Sequence, residues 1–151
     1  MTSTLTTRPI RRVCVPLLVL FLTLLALPSC SKVSLPGDLK VTDITTGRDL
    51  DAGGNIREDA RTMNFWSSDT FYVAVQTEGT AENVTIQARW TGPDGTVAGE
   101  ASKTISTKGP TTTLLQAAPP KAKDDRWPAG DYKVEILING TSQGTRDLNA
   151  R

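Results

Sequence analysis

Residues 127–140 read Trp-Pro-Ala-Gly-Asp-Tyr-Lys-Val-Glu-Ile-Leu-Ile-Asn-Gly. The stretch divides into a rigid turn, a strand and a tight reversal. Pro128 fixes its own φ and biases Trp127 toward extended geometry, and Ala129-Gly130-Asp131 supplies turn chemistry. From Tyr132 the pattern has period two: Tyr132, Val134, Ile136 and Ile138 share one face, Lys133 and Glu135 the other. Such alternation marks a half-buried strand. Burying the four inward side chains contributes roughly 6–12 kcal/mol before chain entropy is subtracted. Leu137 interrupts the polar side, so the outward face is expected to be partly covered. Asn139-Gly140 follows at once, and Asn-Gly between extended runs favours a type I′ turn, whose two central residues need φ > 0. Residues 141–148 then return as the partner strand.

Upstream, the chain reads as further short strands separated by turns. Phe71–Thr77 places Phe71, Val73 and Val75 inward, and Val84–Thr91 places Val84, Ile86, Ala88 and Trp90 inward. Gly92-Pro93-Asp94-Gly95 reverses the chain and Val97 starts the return. Thr104–Thr107 and Thr111–Gln116 are Thr-rich and strand-like, with Gly109-Pro110 between them. Leu39–Thr45 alternates weakly, as an edge strand does. Residues 46–64 read as a Gly- and Asp-containing loop with a short extended piece near Ile56, and residues 117–126 as a polar loop with prolines. No segment sustains a 3.6-residue apolar period, and no internal repeat is evident. About seven short strands of this kind predict an all-β, antiparallel β-sandwich, with a small β-barrel as the alternative.

Several of these pieces together resemble an immunoglobulin-like domain of proteobacterial periplasmic proteins and lipoproteins. They are Leu50–Ile56 (LDAGGNI), Phe65–Ala81 (FWSSDTFYVAVQTEGTA), Ala88–Gly95 (ARWTGPDG) and the 127–140 stretch, and the resemblance covers roughly residues 40–148 in matching order. It implies an immunoglobulin-like β-sandwich and an envelope location. The family is functionally uncharacterised, so the resemblance transfers no catalytic residue. Leu148 stands where the last strand of that family often carries an aromatic.

The N-terminal part has a different character. Residues 1–29 contain Arg8, Arg11 and Arg12, no acidic residue, and an apolar run from Val13 to Leu27 broken only by Pro16 and Thr23. A basic segment followed by an apolar one of this length is the pattern of a cleaved signal peptide. It is short for a membrane span, which needs about 20 apolar residues; a retained anchor is the alternative. Leu27-Pro28-Ser29-Cys30 resembles a bacterial lipobox, with Pro28 departing from the usual residue at that place. Cys30 is therefore the expected lipidation site, since a thiol is what forms the thioether to diacylglycerol. Acylation of the freed amine, by palmitate or a similar chain, would add a second hydrophobic group. An ordinary signal with an incidental cysteine is the other reading. Ser31 looks like an outer-membrane sorting residue.

The expected organisation is a lipoprotein signal peptide over 1–29, a lipidated tether over 30–38 and the sandwich over 39–151. The expected location is the envelope of a Gram-negative bacterium, as an outer-membrane lipoprotein facing the periplasm or the cell surface. Of the 17 basic residues of the 151-residue chain, three lie in 1–29, which leaves 14 against 16 acidic ones in the mature protein. A net charge near −2 argues against a nucleic-acid partner. Cys14 leaves with the signal and Cys30 is the one remaining cysteine, so no disulfide within the mature chain is expected.

Asp49, Asp51, Gly54 and Ile56 match the opening of a calcium loop, but its twelfth position is Ala60, where a bidentate carboxylate is needed. An acidic surface turn is the simpler reading, and no metal or cofactor is expected. The chain has no histidine and no Gly-x-Ser-x-Gly, and adjacent Asp124 and Asp125 on an extended segment would point apart. Catalysis is not expected. Trp66, Tyr72 and Trp127 are aromatic residues of the kind that more often cap the open ends of a small sandwich; an aromatic platform for a glycan or peptide is the alternative. The function expected is a lipid-anchored, non-catalytic binding or interaction module, and the alternative a structural accessory without a ligand. The expected partners are the membrane, through the lipid, and an envelope protein or glycan.

The type I′ reading has a direct check. Gly140→Val should lower stability by about 1–2 kcal/mol, the cost of a left-handed conformation for a residue with a Cβ. Gly140→Asn should cost less, because Asn tolerates that region. Equal urea midpoints for the two variants would show that the turn is of another kind.

Overall fold

The computed structural model describes residues 39–121 and 124–151. The signal peptide, the Leu27–Cys30 motif and the tether lie outside the described residues.

Among the described residues there are eight strands: β1 (Lys40–Gly47), β2 (Asn64–Phe65), β3 (Phe71–Glu78), β4 (Thr80–Thr91), β5 (Val97–Lys108), β6 (Thr111–Ala117), β7 (Gly130–Ile138) and β8 (Thr141–Ala150). They form a three-stranded sheet of order β1-β3-β6 and a five-stranded sheet of order β2-β8-β7-β4-β5. All neighbours are antiparallel except β2 and β8. The inward residues of both sheets make one core, in which Val73, Val75, Leu115 and Ile44 of one sheet share a cluster with Val84, Ile86, Val134 and Ile136 of the other.

This strand order is that of an immunoglobulin-like sandwich. β1, β3 and β6 correspond to A, B and E, and β8, β7, β4 and β5 to G, F, C and C′. Two further marks agree. Trp90 on the C-equivalent strand is fully buried, and Tyr132 opens the F-equivalent strand with its hydroxyl donating to the Pro128 carbonyl at 2.8 Å, a tyrosine corner. Val134, two residues past Tyr132, occupies the place of the second cysteine of antibody domains and lies opposite Trp90 in register. Trp90 and Val134 are neighbours within the five-stranded sheet, whereas the antibody disulfide crosses between sheets, so here the valine leaves that crossing to apolar packing in the shared core.

Local chemistry explains the turns. Asn139 and Gly140 have φ of 47° and 80°, as the type I′ reading requires. The Asn139 side-chain oxygen accepts from the Thr85 amide at 2.9 Å, and its own amide donates to the Thr85 carbonyl at 2.9 Å. The hairpin turn is thus tied to β4. At the same end Gly109 donates to the Gly79 carbonyl at 2.8 Å, which joins the turns after β3 and β5. That end has only short turns. The opposite end carries the long connections: residues 48–63, 66–70, 92–96 and 118–129.

Three expectations need correction. Val97 and Thr104–Thr107 belong to one continuous twelve-residue strand, β5. Pairing with β4 along its length supports it despite its polar composition. Residues 46–64 are more ordered than a loop: Leu50 and Ile56 bridge as a small hairpin, and Glu58–Ala60 form a 3-10 turn. Asp124 and Asp125 are not extended, because both adopt left-handed φ, 57° and 53°.

Three buried threonines differ in an informative way. Thr46 and Thr77 donate to the carbonyls of Thr62 and Thr111, at 2.7 and 3.2 Å. The Thr113 hydroxyl is equally buried and has no partner among the described residues. An unsatisfied buried hydroxyl costs about 1–3 kcal/mol. Thr113→Val should therefore raise the denaturation midpoint by about 1 kcal/mol, whereas Thr77→Val should lower it by a similar amount. A melt in which both variants lose stability would show that Thr113 has a partner.

Candidate functional site

The loop end is built on four rings. Trp127 stacks on Phe71 with centroids 4.5 Å apart and an interplanar angle of 10°. Tyr132 meets both edge-on, at 5.4 Å from Phe71 and 5.8 Å from Trp127, and Phe65 lies 4.6 Å from Phe71. The turn after β2 holds the indole: the Trp127 amide donates to the Ser67 carbonyl at 2.7 Å and the ring N–H to the Asp69 carbonyl at 2.8 Å. Asp69 in turn caps the Trp66 amide through its carboxylate at 2.9 Å. Burial, and secondarily the charge of Asp94, raises the Tyr132 phenol above its ordinary range, so it keeps the proton that it donates to Pro128.

These positions dismantle the aromatic platform. Trp127 is 2% exposed, because both its N–H groups find backbone carbonyls and the ring can sink into the core. It caps the sandwich, with almost none of its surface open to solvent. Trp66 is 51% exposed, but the Arg151 guanidinium lies over its ring, 4.7 Å from the centroid. Tyr72 is half-buried on the outward side of β3, since it alternates with the inward Phe71 and Val73. The three side chains do not share a surface.

Beside the aromatic cap lies a cleft of about 300 Å³ between the β4–β5 turn and the 118–129 connection, with Pro93, Val97, Pro120 and Pro128 among its walls. Gly130 (φ 140°) makes the closeness possible, because a Cβ there would meet Pro93 at 2.8 Å. Asp94 is held in its turn by the Thr96 amide and hydroxyl, at 3.0 and 2.8 Å.

The acidic hairpin is committed internally. Asp51 accepts from the amides of Gly53 and Asn55 at 2.8 and 2.9 Å, and hydrogen bonding, led by Asn55, lowers its pKa. Arg57 pairs with Asp59 at 2.6 Å and Asp49 at 3.3 Å. Both candidate first ligands of a calcium loop thus serve the hairpin itself. Among the described residues no cluster of three or more carboxylate or thiol side chains has the geometry of a metal site.

The outward face of the three-stranded sheet was not anticipated. In register, Tyr72 lies between Gly47 and Gln116, Ala74 between Thr45 and Leu114, and Gln76 between Asp43 and Thr112. A depression of about 240 Å³ lies over Thr45, Ala74, Gln76 and Thr112, closed at the β1 side by Asn55, Ile56 and Arg61 of the 48–61 segment. Among the described residues, the side-chain polar groups of Tyr72, Gln76, Thr112 and Gln116 have no hydrogen-bond partner. Period two in each strand was readable, but which strands lie side by side was not.

No family model matches the chain, and the search of curated proteins found no similar protein. Among solved structures, the chain is similar to an immunoglobulin-like protein from Pseudomonas aeruginosa, with 11% identity over 76% of this chain and 97% of that one and a TM-score of 0.49. It is also similar to the C-terminal domain of wzt (11% identity, 76% of this chain, 74% of that one, TM-score 0.45). A third similarity is to the Pseudomonas fluorescens alkylpurine DNA glycosylase AlkC (13% identity, 75% of this chain, 30% of that one, TM-score 0.45). The fold assignment stands on strand order, the buried Trp90 and the tyrosine corner.

Tyr132→Phe keeps every ring contact and removes only the bond to Pro128. It should cost about 1 kcal/mol in a denaturant melt. An unchanged midpoint would show that the corner bond contributes nothing to stability.

Proposed function

We propose that the protein is a lipid-anchored component of the bacterial envelope whose immunoglobulin-like domain recognises a partner without catalysing a reaction. The observation that carries the anchoring is Leu27-Pro28-Ser29-Cys30 directly after a basic and then apolar segment. One acyl chain binds a bilayer marginally, whereas two or more hold it stably, so diacylglycerol on Cys30 plus an amine-linked chain suffices. Ser31 supports sorting to the outer membrane.

The connectivity supports recognition. Residues 31–38, under about 30 Å when extended, enter the sandwich at Lys40, which lies opposite Glu78 at the short-turn end. The long connections and the cleft are at the other end of the strands from Lys40. A structural accessory without a ligand is the competing reading.

Mass spectrometry of the mature N-terminus should find Cys30 carrying thioether-linked diacylglycerol and an amide-linked acyl chain. Cys30→Ala should lose both, and any processed protein should be soluble. An unmodified Cys30, or a processed Cys30→Ala protein that stays in the membrane, would refute anchoring. The soluble form, added back to envelopes from cells lacking the protein, should bind saturably. Non-saturable uptake would favour the accessory role.

A further inference from the structure

We propose that Asn139 is a site of spontaneous deamidation whose chemistry the β7–β8 turn holds shut, so that conversion proceeds only through opening of that hairpin.

The residue pair supplies the reactivity. Asn139 is followed by Gly140, whereas the other four asparagines of the chain precede Ile56, Phe65, Val84 and Ala150. Deamidation begins when the amide nitrogen of the following residue attacks the asparagine carboxamide carbon. A side chain on that following residue crowds the attack, and glycine has none. Solvent reaches the pair as well. Both residues are exposed, and a Cβ placed on Gly140 would meet nothing within 4 Å.

The reaction needs no partner other than water. The Gly140 amide gives its proton to solvent base, and its nitrogen bonds to Cγ of Asn139. The Cγ–Nδ2 bond breaks and ammonia leaves, which closes a succinimide ring. Water then opens the ring at either carbonyl. Cleavage of the new Cγ–N bond gives aspartate. Cleavage of the former peptide C–N bond gives isoaspartate, with the main chain routed through Cβ and Cγ.

Ring closure requires the Gly140 nitrogen to lie on the same side of the Asn139 Cα–C bond as Cβ. The turn puts it on the other side. Asn139 has φ of 47° and Gly140 of 80°, and Ile138 pairs with Thr141, so these two residues are the whole loop. A type I′ turn has ψ of about +30° at its first central residue, which in an L-residue turns the following nitrogen nearly opposite to Cβ. The side chain is held too. Its Oδ1 accepts from the Thr85 amide at 2.9 Å, and the Asn139 amide donates to the Thr85 carbonyl at 2.9 Å. Rotating the peptide unit into the reactive arrangement therefore undoes the turn and strains its tie to β4. Conformation is the barrier at this site, since burial supplies none.

The two products differ in consequence. An aspartate at 139 still accepts from the Thr85 amide and tolerates the left-handed region. Isoaspartate adds an atom to the main chain of a loop whose length sets the register of β7 against β8. β8 carries Leu148 into the core and brings the Arg146 guanidinium to the Ile44 carbonyl, so a slipped register disturbs both.

The test follows the full chain in detergent micelles at mildly alkaline pH, with each asparagine scored as amide or acid by mass after tryptic digestion. One sample stays folded, a second is held unfolded in concentrated urea, and a peptide of residues 134–146 is the unconstrained reference. In urea and in the peptide, Asn139 should convert ahead of every other asparagine and give both acids. In the folded chain its rate should be at least about tenfold lower, because it equals the open fraction multiplied by the unconstrained rate. Ile138→Ala removes a buried side chain beside the turn, leaves the reacting pair intact and should raise the folded rate. Should that variant fail to fold, urea below the unfolding transition of wild type should do the same. Equal rates in the folded chain and the peptide, or a folded rate indifferent to Ile138→Ala and to sub-denaturing urea, would overturn control by the hairpin. An unfolded chain in which another asparagine converts first would overturn the site itself. The isolated isoaspartate form should unfold at lower urea than Asn139→Asp, and equal midpoints would overturn the effect on register.

Discussion

The loop end depends on how one indole is satisfied. Trp127 lies in the connection that carries the chain from β6, in one sheet, to β7, in the other. Burying an indole costs less when its N–H is paired, and here the ring N–H and the backbone amide both find carbonyls of the turn after β2, whereas the ring N–H of the buried Trp90 has no partner among the described residues. The stack on Phe71 then joins the start of β3 to the entry of β7. Tyr132 adds its corner bond to Pro128 one residue past the indole. The crossover, the β2–β3 turn and the first residues of two strands in different sheets are thereby held as one unit. No cysteine lies among the described residues, and these few polar contacts around an aromatic stack, together with the core shared by both sheets, align them.

What the sequence disclosed was local. Asn139-Gly140 announces its turn because φ > 0 at two successive positions restricts the residue types there, and the flanking period fixes which side chains face inward. Trp90 and Tyr132 were placed correctly because each sits in phase with its strand's buried face. For Trp127 capping of the sandwich end was one of the two readings offered and is the one found, but nothing near it in sequence says that Ser67 and Asp69 will supply its partners. The hydrogen bond to Asp69 spans 58 positions. For the same reason Tyr72 was grouped with Trp66 and Trp127 as an aromatic, when its true neighbours are Gln116 and Gly47 on strands distant in sequence. β5 was split because its threonines, serine and lysine weaken the alternation, and only pairing with β4 reveals one strand.

The sheet edges show how the fold limits unplanned association. The long edges of the five-stranded sheet are β5 on one side and, beyond the two-residue β2, most of β8 on the other. Each carries a cation on its inward side. Lys103 lies opposite the buried Ile86, and Arg146 opposite the buried Val134. A charge pointing toward the core side of an edge strand is tolerated while the edge meets water and becomes costly once another strand covers it. Arg146 has a second role, because its guanidinium donates to the Ile44 carbonyl at 3.1 Å and closes the seam between β8 and β1. In the three-stranded sheet, β1 shifts register between Val41 and Asp43, and Pro110, which has no amide to offer, precedes β6.

These devices bear on where recognition can occur. With the edges discouraged by inward charge, a register shift and proline, strand addition is the least suited mode of contact for this domain. The aromatic cap is spent on structure, and the ion-paired face of the five-stranded sheet already satisfies its own charges. The surfaces that keep unspent hydrogen-bonding capacity beside apolar contact area are therefore the ones to weigh. The outward face of β3 and β6 stands on regular strands, where backbone pairing fixes the spacing of each side chain. The proline-walled cleft is formed in part by a turn and a long connection, whose positions are less constrained.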